Sequence, residues 1–249
     1  MDDLEKGLAK EKQTLAMIPS FVEGRLTGNE VGPFLALDLG DTNLRVVKVD
    51  LQGHGKYTTR SSKYKVRECL KTEGARKLFN FIADCVDSFV SEHGLDKTEE
   101  NIPLGFTFSF PVLQTKVNRG IFLSWIKGFA CPGLVGKDPV VMLQDARNEK
   151  NCNVYIAANI NYTVGTLLSH AYAHPDTLIG VILGTGSNGT YIEKMSNIKK
   201  WDGSKTDAPD IIINTEFGIL TMNVPVLPRT PYDNKLGRKS INPRTQIFE

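Results

Sequence analysis

The segment from Phe34 to Leu51 restricts the fold of this chain most strongly, because its hydrophobic pattern describes two strands and a turn between them. Its first part, FLALDLG, is an apolar run of strand length. Its last part, NLRVVKVDL, alternates, with Leu44 and Val46 facing inward. The GDT between them is a tight turn, so the segment predicts a β-hairpin. A second turn, LQGHGKY, leads into a third strand, SSKYKV, and His54 is predicted to be a surface residue of that turn.

Helical periodicity occurs in two later segments. ARKLFNFIADCVDSFVSEHG has apolar residues at three- and four-residue steps and a glycine stop signal, and DPVVMLQDARNEKN is the second helical segment. VYIAANI and LIGVILGTG are continuous apolar runs, which are typical of strands buried on both faces. Strands that alternate with helices predict an α/β fold.

Composition argues against several classes of function. The 249 residues carry a formal net charge of +2, which is too balanced to indicate a nucleic-acid or membrane-surface protein. No apolar run reaches the roughly 18 residues that a membrane span needs, and the charged N-terminus lacks the apolar stretch of a signal peptide. The four cysteines show no CxxC pair and no metal-ligand spacing, which predicts reduced thiols in a cytoplasmic protein.

Two glycine-rich turns, each following an apolar strand, are candidate phosphate-binding segments. They are DLGDTNLR (Asp38–Arg45) and LGTGSNGTY (Leu183–Tyr191). Successive backbone N–H groups in such a turn form a concavity that binds anions. Either turn alone is explained more simply as an ordinary hairpin, and it is their combination that favours phosphate binding.

Other polar residues lie within or at the ends of apolar segments. Ser109 lies in GFTFSFPV, Lys127 in SWIKGF, and Glu216 ends the strand of INTEFG. A carboxylate in that last position is either a cap or a ligand contact, and the residue types alone leave both interpretations open.

Taken together, these segments resemble one protein family. FLALDLGDTNLRV, LGFTFSFPVLQT, IKGF, NYTVGTLL, GVILGTGSNGTYIE and IINTEFG occur in the order found in eukaryotic hexokinases and glucokinases, and LQGHGKY and FIADCVDSFV are similar to the fungal type. The resemblance extends from about Thr14 to Glu249. It implies an actin-like ATPase (RNase H-like) two-domain sugar kinase fold. It also implies phosphorylation of the 6-hydroxyl of glucose or a related hexose with ATP and Mg²⁺, the first step of glycolysis.

The resemblance also implies site residues. Its sugar-binding positions are Ser109, Phe110, Lys127, Asn161, Asn188, Glu216 and Glu249. Its ATP- and phosphate-binding positions are Asp38, Gly40, Thr42, Asn43, Arg45, Gly184, Thr185 and Gly186. Lys127 would also act in catalysis by stabilising charge on the transferred phosphoryl group, and Asp38 would hold Mg²⁺ through water.

Three residues depart from the family pattern. Tyr162 occupies the position of the aspartate that accepts the sugar hydroxyl proton. The reference pKa of a phenol is about 10, against about 3.9 for aspartate, so a tyrosine there stays protonated at neutral pH. Asp41 replaces the second glycine of the first phosphate turn, and Ile126 replaces a threonine beside Lys127. The sequence therefore predicts impaired activity and leaves open a catalytically inactive, sugar-binding or regulatory pseudokinase.

The predicted domains are an N-terminal helix and linker (1–31), a small domain (32–160) and a partial large domain (161–249). The chain has about half the length of a usual hexokinase unit, so the resemblance implies C-terminal truncation and an incomplete second domain. An actin- or chaperone-like ATPase shares the phosphate turns and is a further alternative. FSFP, IKGF and NTEFG argue against it, because those segments belong to the sugar site.

Overall fold

The computed structural model describes residues 2–97, 101–126, 128–150, 153–184, 187–203, 206–219 and 230–239. The chain forms two compact units. The continuous unit is Leu26–Tyr162, and the two-segment unit combines Met1–Arg25 with Thr163–Glu249. The assignment of these units to the small and large domains of the sugar kinase fold stays a prediction.

Helices and strands alternate along most of the chain. The helices in the described residues are α1 (Asp2–Ala9), α2 (Glu68–Thr72), α3 (Ala75–Glu92), α4 (Pro139–Asn148), α5 (Tyr162–Ala173) and α6 (Pro231–Lys239). The strands are β1 (Ile18–Glu23), β2 (Val31–Leu39), β3 (Asn43–Gln52), β4 (Tyr57–Lys65), β5 (Ile102–Thr107), β6 (Val112–Lys116), β7 (Arg119–Phe122), β8 (Val154–Ile160), β9 (Ile179–Leu183), β10 (Ser187–Lys194) and β11 (Asp210–Asn214). None of the helices in the described ranges has the length and apolar character to cross a membrane.

The continuous unit contains a five-stranded sheet in the order β4-β3-β2-β5-β8. The strands β2, β3 and β4 are antiparallel, which confirms the predicted hairpin and third strand, and Leu44 and Val46 are fully buried. β5 pairs parallel with β2, and β8 parallel with β5. Parallel neighbours need a crossover, and α3 and α4 lie in those two connections. Three antiparallel strands followed by two parallel ones give the order of the actin-like, RNase H-like fold, and the α/β class is confirmed.

The main core lies in the continuous unit. The predicted apolar face of α3 is buried and includes Leu78, Ile82, Cys85, Val86 and Phe89. Next to it, five rings have centroids 4.6–6.3 Å apart and form what we term the aromatic cluster. Its members are Phe108, Phe110, Phe122, Trp125 and Phe129. Tilted and edge-to-face rings at these distances attract one another in addition to burying apolar area.

The two-segment unit is organised by an antiparallel sheet in the order β1-β11-β10-β9. β1 pairs with β11, and the Ser20 hydroxyl donates a hydrogen bond of 2.7 Å to the backbone carbonyl of Ile212. The sequence places residues 1–31 in a helix and linker, whereas residues 18–23 form a strand. The reason is that the partner strand, β11, lies almost the whole chain away in sequence. The local pattern of residues 18–23 therefore does not indicate a strand.

Two apolar runs whose sequences predict burial on both faces are edge strands within the described part of the chain. β8 and β9 each lie at the end of their sheet. Tyr155 on β8 is 46% exposed, and Ile179 and Leu183 on β9 are 64% and 81% exposed. The prediction of two-sided burial is wrong for both strands, because the hydrophobicity of a run does not reveal which of its faces is covered.

The cysteines of the described ranges are free thiols. Cys69 is exposed, whereas Cys85 and Cys131 are buried. Burial, with a smaller contribution from the neighbouring Asp84 carboxylate, raises the pKa of Cys85 to about 12, and burial also raises the pKa of Cys131. These two thiols are therefore protonated and inert near neutral pH. Cys152 lies outside the described residues.

Candidate functional site

Two buried amides and one half-buried carboxylate form a hydrogen-bonded group among the described residues of the two-segment unit. The Asn188 Nδ2 donates to Asn214 Oδ1 at 2.9 Å and to Glu216 Oε1 at 3.2 Å. The Asn214 Nδ2 donates to the same Glu216 oxygen at 2.7 Å. Asn188 and Asn214 are almost fully buried, and Glu216 is half-buried. We term these three residues the amide–carboxylate cluster.

The backbone fixes the cluster in place. Asn188 lies on β10 and Asn214 ends β11, and these strands pair antiparallel. The Thr215 hydroxyl donates to the Gly189 carbonyl at 2.8 Å, and the Thr215 N–H donates to the same oxygen at 3.0 Å. Glu216 has φ of 53°, in the left-handed region that non-glycine residues rarely adopt. Strained backbone of this kind persists where its surroundings hold it, and it is frequent at binding sites.

The cluster has the chemistry of a site for a polyhydroxy compound. A carboxylate accepts hydrogen bonds from hydroxyl groups, and side-chain amides both donate and accept. Glu216 is held by two amide donors, so its carboxylate is oriented before any ligand arrives. The structure thus brings together Asn188 and Glu216, two of the residues implied for sugar binding. Asn214 was not predicted, although its place at the end of an apolar strand, two residues before Glu216, was a signal for it.

Gly218→Ala is expected to lower the free energy of unfolding by about 1–3 kcal/mol. A Cβ at Gly218 would lie 1.8 Å from the Ser187 carbonyl oxygen, so the turn that carries Glu216 would have to move away from β10. Urea denaturation followed by circular dichroism measures the change. Gly74→Ala is the matched control, because a Cβ there meets nothing within 4 Å. Equal destabilisation by both variants would rule out the close approach at Gly218 as the cause.

In the continuous unit, the structure brings Ser109 next to Tyr162. The Tyr162 N–H, at the start of α5, donates to the Ser109 hydroxyl at 3.1 Å. The first N–H groups of a helix lack partners within the helix, so the buried Ser109 satisfies one of them. Asn161 immediately precedes the helix and is half-buried, as is Tyr162. The residue at the predicted base position is therefore held through its backbone by another residue that the resemblance implies for the sugar site.

The other residues that the resemblance places in or beside the sugar site differ in how far the structure describes and buries their side chains. Phe110 is 6% exposed, and its ring lies within the aromatic cluster, 4.7 Å from Phe108. Ile126 is partly buried and packs against the main core. Lys127 and Glu249 lie outside the described residues.

The first phosphate turn uses some of its own amides internally. The Gly40 N–H donates to the Asn43 carbonyl at 2.9 Å, and the Thr42 N–H donates to the Asp41 carboxylate at 2.8 Å. The Thr42 carbonyl accepts from the Val66 N–H at 2.9 Å, which fixes the turn to the end of β4. Two of the amides that the sequence assigns to an anion are thus engaged within the turn. In the phosphate-binding interpretation, Asp41 is unfavourable both because of its negative charge and because it accepts the hydrogen bond of the Thr42 N–H.

Asp38 is the candidate Mg²⁺ position. It is half-buried, and its register partners are Arg45 on β3 and Thr107 on β5. Nowhere in the described ranges do three His, Cys, Asp or Glu side chains form a group that could hold a metal ion. Mg²⁺ usually keeps several waters and binds through one or two carboxylates plus phosphate oxygens. A single carboxylate beside a phosphate turn is a donor set that fits this ion.

The second phosphate turn joins β9 to β10. The two strands pair antiparallel, with Leu183 opposite Ser187. Gly184 is exposed at the end of β9, and Thr185 and Gly186 lie outside the described residues. Both glycine-rich segments therefore connect neighbouring antiparallel strands, and the hairpin interpretation and the phosphate-binding interpretation are compatible.

Comparison with known proteins gives relatives along the full length of the chain. Two hexokinase family models match, one over residues 1–172 and the other over residues 178–249. The chain is 43% identical to a hexokinase of Kluyveromyces lactis and 42% identical to hexokinase-2 of Saccharomyces cerevisiae, in each case over 100% of this chain and 52% of the relative. A glucokinase of Aspergillus niger is 39% identical over 99% of this chain and 55% of its own length. The chain thus spans about half the length of the curated relatives it matches.

Solved hexokinase structures share the fold. A hexokinase from Schistosoma mansoni complexed with glucose matches with a TM-score of 0.85 and 34% identity, over 99% of this chain and 55% of that chain. Another hexokinase structure matches with a TM-score of 0.82 and 36% identity, over 99% of this chain and 56% of that chain. Because the first family model covers more than half of the chain and the structural match extends over nearly all of it, this chain belongs to the hexokinase family.

Proposed function

We propose that this chain carries the sugar-binding part of an ATP-dependent hexose kinase, which phosphorylates the 6-hydroxyl of glucose or a related hexose. The observation that carries the proposal is the amide–carboxylate cluster, in which two buried amides orient the Glu216 carboxylate. Such a site favours a ligand with hydroxyl groups, because a ligand without them would displace water from the Glu216 carboxylate and offer it no donor in return.

The continuous unit carries further residues that the resemblance implies for sugar binding. Ser109 and Asn161 lie at the start of α5, beside the position that faces the reacting hydroxyl in this proposal. Phe110 contributes through its backbone and by supporting the loop, because its ring is packed in the aromatic cluster. Lys127 and Glu249 supply a cation and a second carboxylate.

ATP and Mg²⁺ are the proposed co-substrate and metal ion. The two glycine-rich turns would hold the phosphates, with Thr42, Asn43 and Arg45 as side-chain contacts. Asp38 would hold Mg²⁺ through water, and the ion would neutralise phosphate charge. Lys127 would stabilise the charge on the transferred group, since catalysis of phosphoryl transfer is mainly positioning and electrostatics.

The activity of the chain is proposed to be impaired, and a sugar-binding or regulatory pseudokinase is the second candidate. Asp41 favours it, because its carboxylate takes the Thr42 N–H and adds a negative charge at the phosphate turn. Tyr162 favours it as well, since a phenol replaces the expected carboxylate base. An active kinase and a pseudokinase differ in one measurement: both bind glucose, and only the first turns it over.

Glucose titration of the chain by isothermal calorimetry tests the proposed site. The Glu216→Gln variant is expected to weaken glucose binding by roughly 10–100-fold, because a hydrogen bond to a charged group contributes about 1.5–3 kcal/mol. Asp207→Asn removes an exposed carboxylate from the same unit and serves as the control. Binding by the unmodified chain that Glu216→Gln leaves unchanged would place the sugar elsewhere, and failure of the unmodified chain to bind would reject the proposal.

Asp41→Gly is expected to tighten the binding of inorganic triphosphate with Mg²⁺ by about tenfold, or about 1.4 kcal/mol. The substitution removes the charge and frees the Thr42 N–H for the anion. Asp41→Asn removes the charge but keeps a side-chain oxygen for that N–H, so it is expected to give a smaller gain. If calorimetry finds the same affinity for all three proteins, the Asp41 side chain points away from bound phosphate.

A further inference from the structure

We propose that His170 and His174 form a binding site for a divalent transition-metal ion such as Cu²⁺, Ni²⁺ or Zn²⁺. Residues four apart lie on the same face of a helix, and these two are at the C-terminal end of α5. Their rings are stacked with centroids 4.4 Å apart and an interplanar angle of 24°. Both histidines are exposed, and no role in the proposed phosphoryl transfer uses them.

The proton positions around Thr177 determine which nitrogen of His170 can bind a metal. The Thr177 hydroxyl donates a hydrogen bond of 2.7 Å to the backbone carbonyl of His174. It also lies 2.7 Å from His170 Nδ1. A hydroxyl has one proton, so the second contact runs in the opposite direction, with His170 Nδ1–H donating to the Thr177 oxygen. His170 Nε2 then carries a lone pair when the ring is neutral.

This arrangement is the one that metal-binding histidines need. A ligating imidazole almost always donates its other N–H to an oxygen, which fixes the tautomer and the orientation of the ring. Here Thr177 has that supporting role, and the carbonyl of His174 fixes the hydroxyl in turn. The second imidazole already lies beside the first, so both ligands are on one face of the helix before an ion binds.

The partial charge at the end of α5 and the nitrogen donors of the two imidazoles determine which class of ion this site would bind. Imidazole nitrogen suits Cu²⁺, Ni²⁺ and Zn²⁺, whereas Mg²⁺ prefers oxygen ligands. The C-terminal end of a helix carries partial negative charge, which favours a cation there. In the part of the chain that the structure describes, no group of three His, Cys, Asp or Glu residues is arranged so that it could hold a metal ion. Water or a small ligand would therefore complete the coordination, and the bound ion would exchange readily.

The first hexokinase family model covers His170 but not the other two residues of the proposed ion site. His174 and Thr177 lie between the two matched segments, which end at residue 172 and resume at residue 178. The ion site uses none of the residues assigned to the sugar site or to the phosphate turns, so it does not depend on the proposed kinase function.

Calorimetric titration of the full chain with Ni²⁺ tests the proposal. The protein titrated is the Cys69→Ser variant of the full chain, because the exposed thiol of Cys69 would also bind the ion. A single bound ion is expected, and His170→Ala and His174→Ala should each abolish binding. Thr177→Val should weaken the affinity by roughly 10–100-fold, and Thr177→Ser, which keeps the hydroxyl, should restore it. His54→Ala is the control, since His54 is an exposed turn histidine outside α5.

A spectroscopic measurement identifies the ligands independently. Electron paramagnetic resonance of bound Cu²⁺ is expected to show coupling to two imidazole nitrogens, and to lose it in His174→Ala. The proposal is overturned if the chain binds no Ni²⁺, or if binding persists in both His→Ala variants. Equal affinity of Thr177→Val and the parent would overturn the supporting role of Thr177.

Discussion

Replacing Tyr162 with aspartate is expected to raise the rate of glucose phosphorylation by at least about a hundredfold in a chain completed with the C-terminal half of a related hexokinase. A positioned general base contributes about 10²–10⁴ in rate, which corresponds to roughly 3–5 kcal/mol of barrier. The hydrogen bond to the Ser109 hydroxyl comes from the backbone N–H of residue 162, so it is retained when the Tyr162 side chain is replaced. The aspartate would then occupy the same helix start.

The completed chain allows a matched control. Tyr162→Phe keeps the ring and removes the hydroxyl, so it is expected to give no gain. Among nearby acids in the sequence, Glu149 forms an ion pair with Arg76 of α3, and Asp145 lies on α4. Rapid turnover with Tyr162 in place, and no increase with Tyr162→Asp, would show that another group supplies the base.

Phe122→Ala is expected to lower the free energy of unfolding by about 3–5 kcal/mol. Phe122 is fully buried at the end of β7, and its ring centroid lies 4.6 Å from that of Trp125 and 5.8 Å from that of Phe108. Truncation leaves a cavity that the remaining rings fill only in part. Since a domain is typically stable by about 5–15 kcal/mol, this loss is a large share of the total.

The adjacent residue on the same strand provides the control. Ile121 is 43% exposed, so Ile121→Ala is expected to change the free energy of unfolding by no more than about 0.5 kcal/mol. Urea denaturation followed by tryptophan fluorescence compares the two, because Trp125 reports on the aromatic cluster. Similar losses in both variants would mean that the cluster does not stabilise the continuous unit as its packing indicates.

The parts of the fold that sequence reasoning identified are those with local signals. The hairpin of β2 and β3 was predicted from an apolar run, a tight turn and an alternating run, which are neighbours in the chain. The helix α3 was predicted from a 3.6-residue period with Leu78, Ile82 and Phe89 on one face. Each of these signals fits inside about twenty residues, so tertiary contacts reinforce it without changing it.

The parts that were missed depend on distant partners. β1 is a strand because β11 pairs with it, and its sequence, with Pro19 inside and Gly24 after it, resembles a linker. The exposure of Leu183 depends on what lies against β9, which its own residues do not encode. In the candidate site, Asn214 was missed although its place at the end of an apolar strand was a signal, because its hydrogen bonds to Asn188 and Glu216 depend on the pairing of β10 with β11. The hydrogen bond from the Thr42 N–H to the Asp41 carboxylate could not be predicted from residue types.

The pairing of β1 with β11 also has a consequence during translation. Ser20 and Ile212 are 192 residues apart, so at about 5–20 residues per second β1 leaves the ribosome roughly 10–40 s before its partner. The continuous unit is complete by residue 162 and can fold in that interval, before β11 has been synthesised. Until then β1 is an unpaired nascent strand that could associate with other chains. Pro19 lacks an N–H group and lowers that risk, since proline is one of the residues that protects exposed strand edges from wrong pairing.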